Sequence, residues 1–312
     1  MKKVIVTGAT GFIGRCLVKK LVEENIEVIG VVRKHSGNIS LIDGASVHIV
    51  ECNLQDYNTL HNIITEKGID TIFHTAWQGV SGENIKSQEL QMENVKATLD
   101  LIDVAYQMGV STFVGCGSIH ERECLHEMKS DKPLTDLTFM YKVSKMAAHW
   151  MGKAKAGKYG IRFFWPLIIN AYGEGEYSSR LINTLIRKII SGESMELSSG
   201  TQFYDFVHVS DVVSAMLLIG EKGIEGREYT IGSGNPKPLK EYLTIAGSVA
   251  NSFREDKTEI PLLFGKITDN VISLPVQEFD ISSLREDTGY KAQVSFEDGM
   301  TRTAKWIAEN LK

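Results

Sequence analysis

Tyr141 and Lys145 stand four residues apart in the segment YKVSK, a spacing that sets both on one face of a helix. A lysine ammonium beside a phenol favours the phenolate and lowers its pKa from roughly 10. A tyrosine tuned in this way can give or take a proton at a carbinol or carbonyl carbon near neutral pH. A plain surface pair has the same spacing, so the pair alone does not decide. Upstream, TFVGCGSIHERE reads as a buried strand breaking into polar residues, with Ser118 at the break. Ser118 either ends the strand or touches a substrate.

A second set of residues suits a nucleotide. The strand VIVT runs into GATGFIG, where Gly8, Gly11 and Gly14 open a helix with GxxGxxG spacing. Their missing side chains let a pyrophosphate approach backbone N–H groups at the positive helix end. Thr10, Phe12 and Ile13 supply the intervening backbone. The second strand ends in VIGVVRKH, which puts Val32 where an acid would accept from the ribose 2′-OH of NAD. Arg33 and Lys34 follow; two cations suit a 2′-phosphate, although a solvated basic turn has the same composition. In ECNLQD, Asn53, Leu54 and Asp56 can flank an adenine, and Asp56 can equally cap a helix. Ala76, after the fourth strand, is small enough to let a ribose and nicotinamide pass. Trp77 beside it either walls that pocket or simply packs.

The elements that position these residues alternate in period. KVIVT, EVIGVV, SVHIVECN, DTIFHTA, STFVGCG and IRFFWPL read as strands. IGRCLVKKLVEEN, YNTLHNIITEK, QMENVKATLDLIDVAYQMG and FMYKVSKMAAHWMGKAKAGKYG read as helices between them. Near-continuous apolar strands alternating with helices predict an α/β fold with a doubly wound parallel sheet covered on both faces. After about residue 170 the rhythm breaks. Residues 1–170 are expected to form the nucleotide-binding domain, with about 205–232 returning to it. Residues 171–312 are expected to form mainly a smaller mixed α/β lobe. The tail SFEDGMTRTAKWIAENLK reads as a helix capped by Ser295 or Asp298.

Composition excludes several functions. The formal charge is −5 with no basic block, which argues against a nucleic-acid surface. The 4 cysteines lack CxxC spacing and read as reduced thiols of a cytoplasmic protein. MKKVIVTGATG is too short in its apolar stretch to be a signal peptide, and no apolar run is long enough for a membrane span. His208 in FVHV alternates with apolar residues and needs no metal to explain it.

GATGFIG, YKVSK and Ser118 in GCGSIHE together resemble the extended short-chain dehydrogenase/reductase family, in its nucleotide-sugar epimerase, dehydratase and reductase branch. HTAWQG, Asn94 in ENVKAT, IINAYGEGE, YDFVHVSDVV and YTIGSGNPKPLKE extend the resemblance over nearly the whole chain. It implies a Rossmann-type domain with a C-terminal substrate lobe. It implies that Tyr141 is the acid/base, that Lys145 holds the nicotinamide ribose and depresses the Tyr141 pKa, and that Ser118 binds the substrate oxygen. The three glycines would hold the pyrophosphate, and Pro166 would border the cofactor. Trp77, His120, Asn170, Arg180 and Tyr204 would face the substrate, Asn170 at its diphosphate; Asn94 would be structural. The helices around Asn94–Gly109 and Tyr141–Gly157 resemble the pair through which many members form a homodimer.

Three departures narrow the chemistry. The Tyr-Gly that normally follows the serine is replaced around Glu121, Arg122 and Glu123, which alters the expected pocket wall. The Asp-Glu pair that the 4,6-dehydratases of the branch carry after the catalytic hydroxyl residue is Ile119 and His120 here, which argues against dehydration. The arginine usual before the DFVHV aspartate is Tyr204, and Gln277 lies where another is common, leaving Arg180 and Arg227 as substitutes. Reductase and epimerase share Ser, Tyr and Lys. Arg33 and Lys34 favour NADPH, hence reduction of a 4-keto sugar, over an NAD-dependent 4-epimerase. NAD(H) in place of NADP(H), a smaller carbonyl or polyol substrate, and a non-catalytic NAD(P)-binding regulator are the alternatives; the last is expected to lose Tyr141 or Lys145. Arg33→Ala should raise KM for NADPH more than KM for NADH. Steady-state kinetics with both cofactors check this, and equal effects would remove Arg33 as a phosphate ligand.

Overall fold

The computed structural model describes the chain apart from residues 43, 45, 132, 269–272, 311 and 312. The described residues form two compact units. The first comprises 1–168, 213–231 and 282–290, and the second 169–212, 232–281 and 291–312.

The first unit is built on six parallel strands in the order β3-β2-β1-β4-β5-β7. These are β1 (Lys3–Thr7), β2 (Glu27–Val32), β3 (Val47–Glu51), β4 (Thr71–His74), β5 (Thr112–Gly115) and β7 (Arg162–Phe164). Val4–Thr7 of β1 and Val28–Val32 of β2 are wholly buried, as strands covered on both faces must be. Ile5, Ile72, Leu101, Ile102 and Phe113 form the centre of its core. The chain winds outward from β1 to β3, then restarts at β4 on the other side. That reversal leaves a crevice at the carboxyl ends of β1 and β4, where such sheets bind ligands. Gly8 follows one strand and Ala76 the other.

Helices α1 (Phe12–Glu23), α3 (Gln88–Gln107) and α5 (Phe139–Tyr159) match the predicted periods. The helix expected over 57–67 is shorter. A 3₁₀ turn at Leu54–Thr59 leads into α2 (Leu60–Ile63), and Ile64 is already extended. The β-branched run Ile63, Ile64 and Thr65 weakens helix there. Asp56 lies inside the 3₁₀ turn and so does not cap it. Helix α4 (His120–Met128), with Glu121 and Glu123 in its first turn, forms where the sequence showed only polar residues. A further parallel sheet joins β6 (Gly117–Ser118), β8 (Leu167–Ile168) and β13 (Thr230–Ile231).

The second unit is mixed α/β. Strand pairs β9 (Asn170–Tyr172) with β12 (Phe206–His208), β10 (Met195–Glu196) with β15 (Leu262–Leu263), and β11 (Phe203–Tyr204) with β14 (Lys237–Pro238) accompany three helices. Those helices are α6 (Leu181–Ile190), α8 (Leu239–Ser252) and α10 (Phe296–Asn310), packed on Leu185, Ile186, Leu243, Met300 and Ala304. The return to the first unit is narrower than expected. Residues 205–212 stay in the second unit because β12 pairs with β9, and α7 (Val209–Lys222) then carries the chain back. Helix α9 (Ser282–Thr288) also belongs to the first unit. Ser295 caps α10 by accepting the Asp298 N–H at 3.1 Å; the last two residues of that predicted helix lie outside the described residues. Among the described residues, no helix is long and apolar enough to cross a membrane.

His74 ties three elements of the first unit together. Its Nδ1 lies 2.8 Å from Thr7 Oγ1 on β1, and its Nε2 lies 2.9 Å from Thr98 Oγ1 on α3. Burial, helped by the charge of Lys145, lowers its pKa to about 3. The unfolded chain takes up this proton near pH 6.5 and the native state does not, so stability is full above about 6.5 and falls as pH drops toward 3. The single-site limit is about 1.4 kcal/mol per pH unit. Denaturant unfolding between pH 7 and 4.5 should show this slope, and His74→Gln should flatten it by about one proton.

Candidate active site

A cavity of about 270 Å³ opens at the crevice between the ends of β1 and β4. Gly8 has φ +67°, and a Cβ there would sit 2.7 Å from the Ala76 nitrogen. A Cβ on Gly14 would lie 2.1 Å from the Gly8 carbonyl oxygen. Both positions therefore require glycine. Helix α1 begins at Phe12 with no side-chain cap and no acid in its first turn. Its first N–H groups and positive end are thus left to a ligand, and the cradle fits the pyrophosphate of a dinucleotide.

Of the residues expected at the cofactor, Gly8, Thr10, Gly11, Arg33, Leu54 and Ala76 line this cavity, and so does Trp77, expected at the substrate. Phe12, Ile13 and Gly14 form the first turn of α1 outside its wall. Lys34 and Asn53 are not in the wall either; the Lys34 N–H donates to Asn53 Oδ1 at 3.1 Å, which ties the ends of β2 and β3 together. Pro166 is buried between β7 and β8, its carbonyl against Gly117. Val32, which stands where an acid was expected, also lines the wall; Asn38, Tyr57, Thr75 and Gln78 complete much of the rest and were not singled out from sequence. Among the described residues, Arg33 is the one charged residue in that lining, which contains no carboxylate.

The chemical residues gather at the ends of β5 and β6. Lys145 is buried, donates to the Cys116 carbonyl at 2.8 Å and lies 3.6 Å above the Trp77 ring. Tyr141, also buried, sits one helical turn earlier, with its ring edge-on to Trp77 and to His120 at 6.3 and 5.8 Å between centroids. Ser118 ends β6. Its Oγ accepts the His120 N–H at 3.3 Å, and its own N–H donates to Glu121 Oε1 at 3.0 Å. Trp77 both packs and walls the cavity.

Helix α3 holds the Trp77 loop through residues that sequence reasoning passed over or read only as structural. Trp77 Nε1–H donates to Gln91 Oε1 at 3.0 Å, and the Ser144 hydroxyl donates to the same oxygen at 3.1 Å. Gln91 Nε2 in turn donates to the Gly79 carbonyl at 2.8 Å. Asn94 exchanges two 2.8 Å bonds with the Gln78 main chain. The available signal was a polar stripe, Gln91, Asn94 and Thr98, at helical spacing on a helix whose other buried positions are mainly apolar.

His120 Nδ1 lies 2.7 Å from Glu123 Oε2, and Lys142 Nζ lies 3.1 Å from that oxygen. Burial pushes the Glu123 carboxyl up, but His120 and Lys142 outweigh it and hold it below its ordinary value. The residues of the expected pocket wall at 121–123 are held by neighbours. Glu121 is buried, turned toward Ser118, and Arg122 reaches Glu228 at 3.3 Å. Arg227 forks onto Asp287 at 2.9 and 3.0 Å, so its charge is already matched.

Three expected substrate residues belong to the second unit. Asn170 Nδ2 donates to the Asp205 carbonyl at 3.1 Å, Arg180 is exposed at the start of α6, and Tyr204 stacks on Phe206. His208 is buried between Glu174 and Ser210 at 2.9 and 2.8 Å. Among the described residues, no three His, Cys, Asp or Glu side chains gather to hold a metal.

With this geometry in view, the known proteins are informative. The NAD dependent epimerase/dehydratase family matches residues 4–232. The chain belongs to that family. It is an enzyme of the extended short-chain dehydrogenase/reductase type. The dTDP-glucose 4,6-dehydratase of Neisseria meningitidis is 22% identical, covering 99% of this chain and 94% of its own. The structure of UDP-glucose 4-epimerase with UDP-glucose from Thermotoga maritima superposes with a TM-score of 0.81 at 21% identity, covering 99% and 100% of the two chains. The structure of MoeE5 in complex with UDP-glucose and NAD gives 0.76 at 25% identity, covering 99% and 100%. These likenesses support a nicotinamide nucleotide as the family's cofactor.

Proposed function

We propose that this enzyme reduces the 4-keto group of a nucleotide-linked deoxysugar with NADPH. The observation that carries the reading is Arg33 on the wall of a dinucleotide cavity that, among the described residues, no carboxylate lines. A ribose 2′-OH calls for an acid at the end of β2, and a 2′-phosphate calls for a cation. Val32 occupies the acid's place and is buried.

The nicotinamide, when bound, supplies the hydride to the sugar carbon. The chain's own residues manage the oxygen on that carbon. Negative charge grows there as the carbonyl is reduced, and donors fixed in advance stabilise it most. Ser118 Oγ already accepts a hydrogen bond from the His120 N–H, which leaves its hydroxyl proton to donate to the substrate oxygen. Tyr141 delivers the proton that completes the alcohol. Lys145, held by the Cys116 carbonyl over Trp77, keeps a positive charge one turn from Tyr141 and stabilises the phenolate left when Tyr141 gives up its proton, which solvent then restores before the next turnover. Asn170, Arg180 and Tyr204 contact the nucleotide-sugar in this reading, and 169–212, 232–281 and 291–312 serve mainly as the substrate lobe.

Met92, Tyr106, Val143, Trp150 and Met151 of α3 and α5 are exposed. A homodimer through these two helices would cover such apolar area.

Absorbance of the purified protein for bound nicotinamide, followed by NADPH and NADH oxidation assays with nucleotide-linked 4-keto sugars, tests the reading. NADPH consumption faster than NADH consumption is expected. Tightly retained NAD(H) with no net turnover of added cofactor would replace the reductase with a 4-epimerase.

A further inference from the structure

The stripe of α5 that carries Tyr141 and Lys145 continues one more turn to His149, which is buried at 7% exposure. Its Nδ1 lies 2.9 Å from Glu121 Oε2. Glu121 is 4% exposed, and its other oxygen accepts both the Ser118 N–H and the Trp165 Nε1–H at 3.0 Å. One carboxylate thus gathers groups from β6, from α5 and from the link between β7 and β8. Trp165 lies so close over Gly115 and Gly117 that a Cβ on Gly115 would come within 2.1 Å of its ring. His149 stacks on Trp150 and Trp165 with centroids 4.9 and 6.0 Å away.

Stability does not account for this arrangement. Taking a polar pair out of water is costly, and replacing such a buried pair by apolar residues is often neutral or stabilising. The pair does something an apolar residue cannot: it accepts the main-chain N–H of Ser118. Ser118 is then fixed at two points, its N–H by Glu121 and its Oγ by the His120 N–H. Glu121 is anchored in turn by His149, on the same helical stripe as Tyr141 and Lys145.

We propose that Glu121 and His149 are positioning residues that set Ser118 against Tyr141 and Lys145. The proposal rests on the reading that Ser118 and Tyr141 share the substrate oxygen. Displacement of a reacting group by about 1 Å can cost about 100-fold in rate. A Glu121→Leu variant should therefore lose kcat by about 10- to 100-fold while KM for NADPH stays near the wild-type value. Glu121→Gln keeps an acceptor for the Ser118 N–H and should lie much closer to wild type. His149→Leu, which strands the carboxylate, should lower both Tm and kcat. The double variant Glu121→Leu/His149→Leu separates positioning from folding. It should recover Tm relative to His149→Leu and keep the low kcat. Recovery of kcat together with Tm would overturn the proposal. Hydrogen exchange at the Ser118 amide gives a readout that needs no substrate. It should quicken in Glu121→Leu and in the double variant but not in Glu121→Gln, and unchanged exchange in the double variant would also overturn the proposal. A wild-type enzyme inactive on every keto-sugar nucleotide would instead count against the reduction, and the amide exchange would then decide the positioning claim.

Discussion

A buried ammonium holds this site together. Lys145 has left water, and so strongly hydrated a group must find replacement partners. It finds the Cys116 carbonyl, where the chain leaves β5 for β6, and the face of Trp77, in the loop after β4. Those two contacts fasten α5 to the ends of two neighbouring strands. Tyr141 rides on the same helix, and Ser118 follows Cys116 by two residues. The loop that presents Trp77 must therefore be as rigid as the strand end. Gln91 and Asn94, both buried, supply that rigidity by taking up its main chain and its indole N–H.

The other end of the cavity obeys a steric constraint. Gly8 nearly touches Ala76, and Gly14 nearly touches Gly8, so the turn after β1 is packed backbone against backbone. Any side chain would push α1 off the sheet and close the space its first N–H groups need. The polar wall beyond it holds Arg33 and, among the described residues, no acid. A cation there costs the fold little, because Arg33 is exposed, and in the proposed reading it meets the 2′-phosphate that distinguishes one cofactor from the other.

Much of this could be read from residue patterns. Strands buried on both faces give continuous apolar runs, so the parallel sheet and its helices stood out. Tyr141, Lys145 and the glycine turn are local patterns, visible within a few residues. What escaped depends on distant partners. Glu121 read only as part of an altered pocket wall, because nothing near it in the chain says that Trp165, 44 residues on, and His149, 28 residues on, lie over it. That residues 205–212 belong to the second unit is not legible in the sequence, because short strands such as β9 and β12 carry too little pattern to reveal their pairing. The helix expected over 57–67 failed for a local reason, the β-branched run at 63–65 that periodicity alone overlooks.

The central claim is that Ser118, Tyr141 and Lys145 serve a net hydride transfer from cofactor to sugar. The direct measurement uses NADPH deuterated at its transferable position with a nucleotide-linked 4-keto sugar, and mass spectrometry of the product. The account predicts one deuterium on the reduced carbon of each product molecule, with an equal amount of oxidised cofactor released. Product free of deuterium, or an epimerised sugar formed without cofactor consumption, would contradict it.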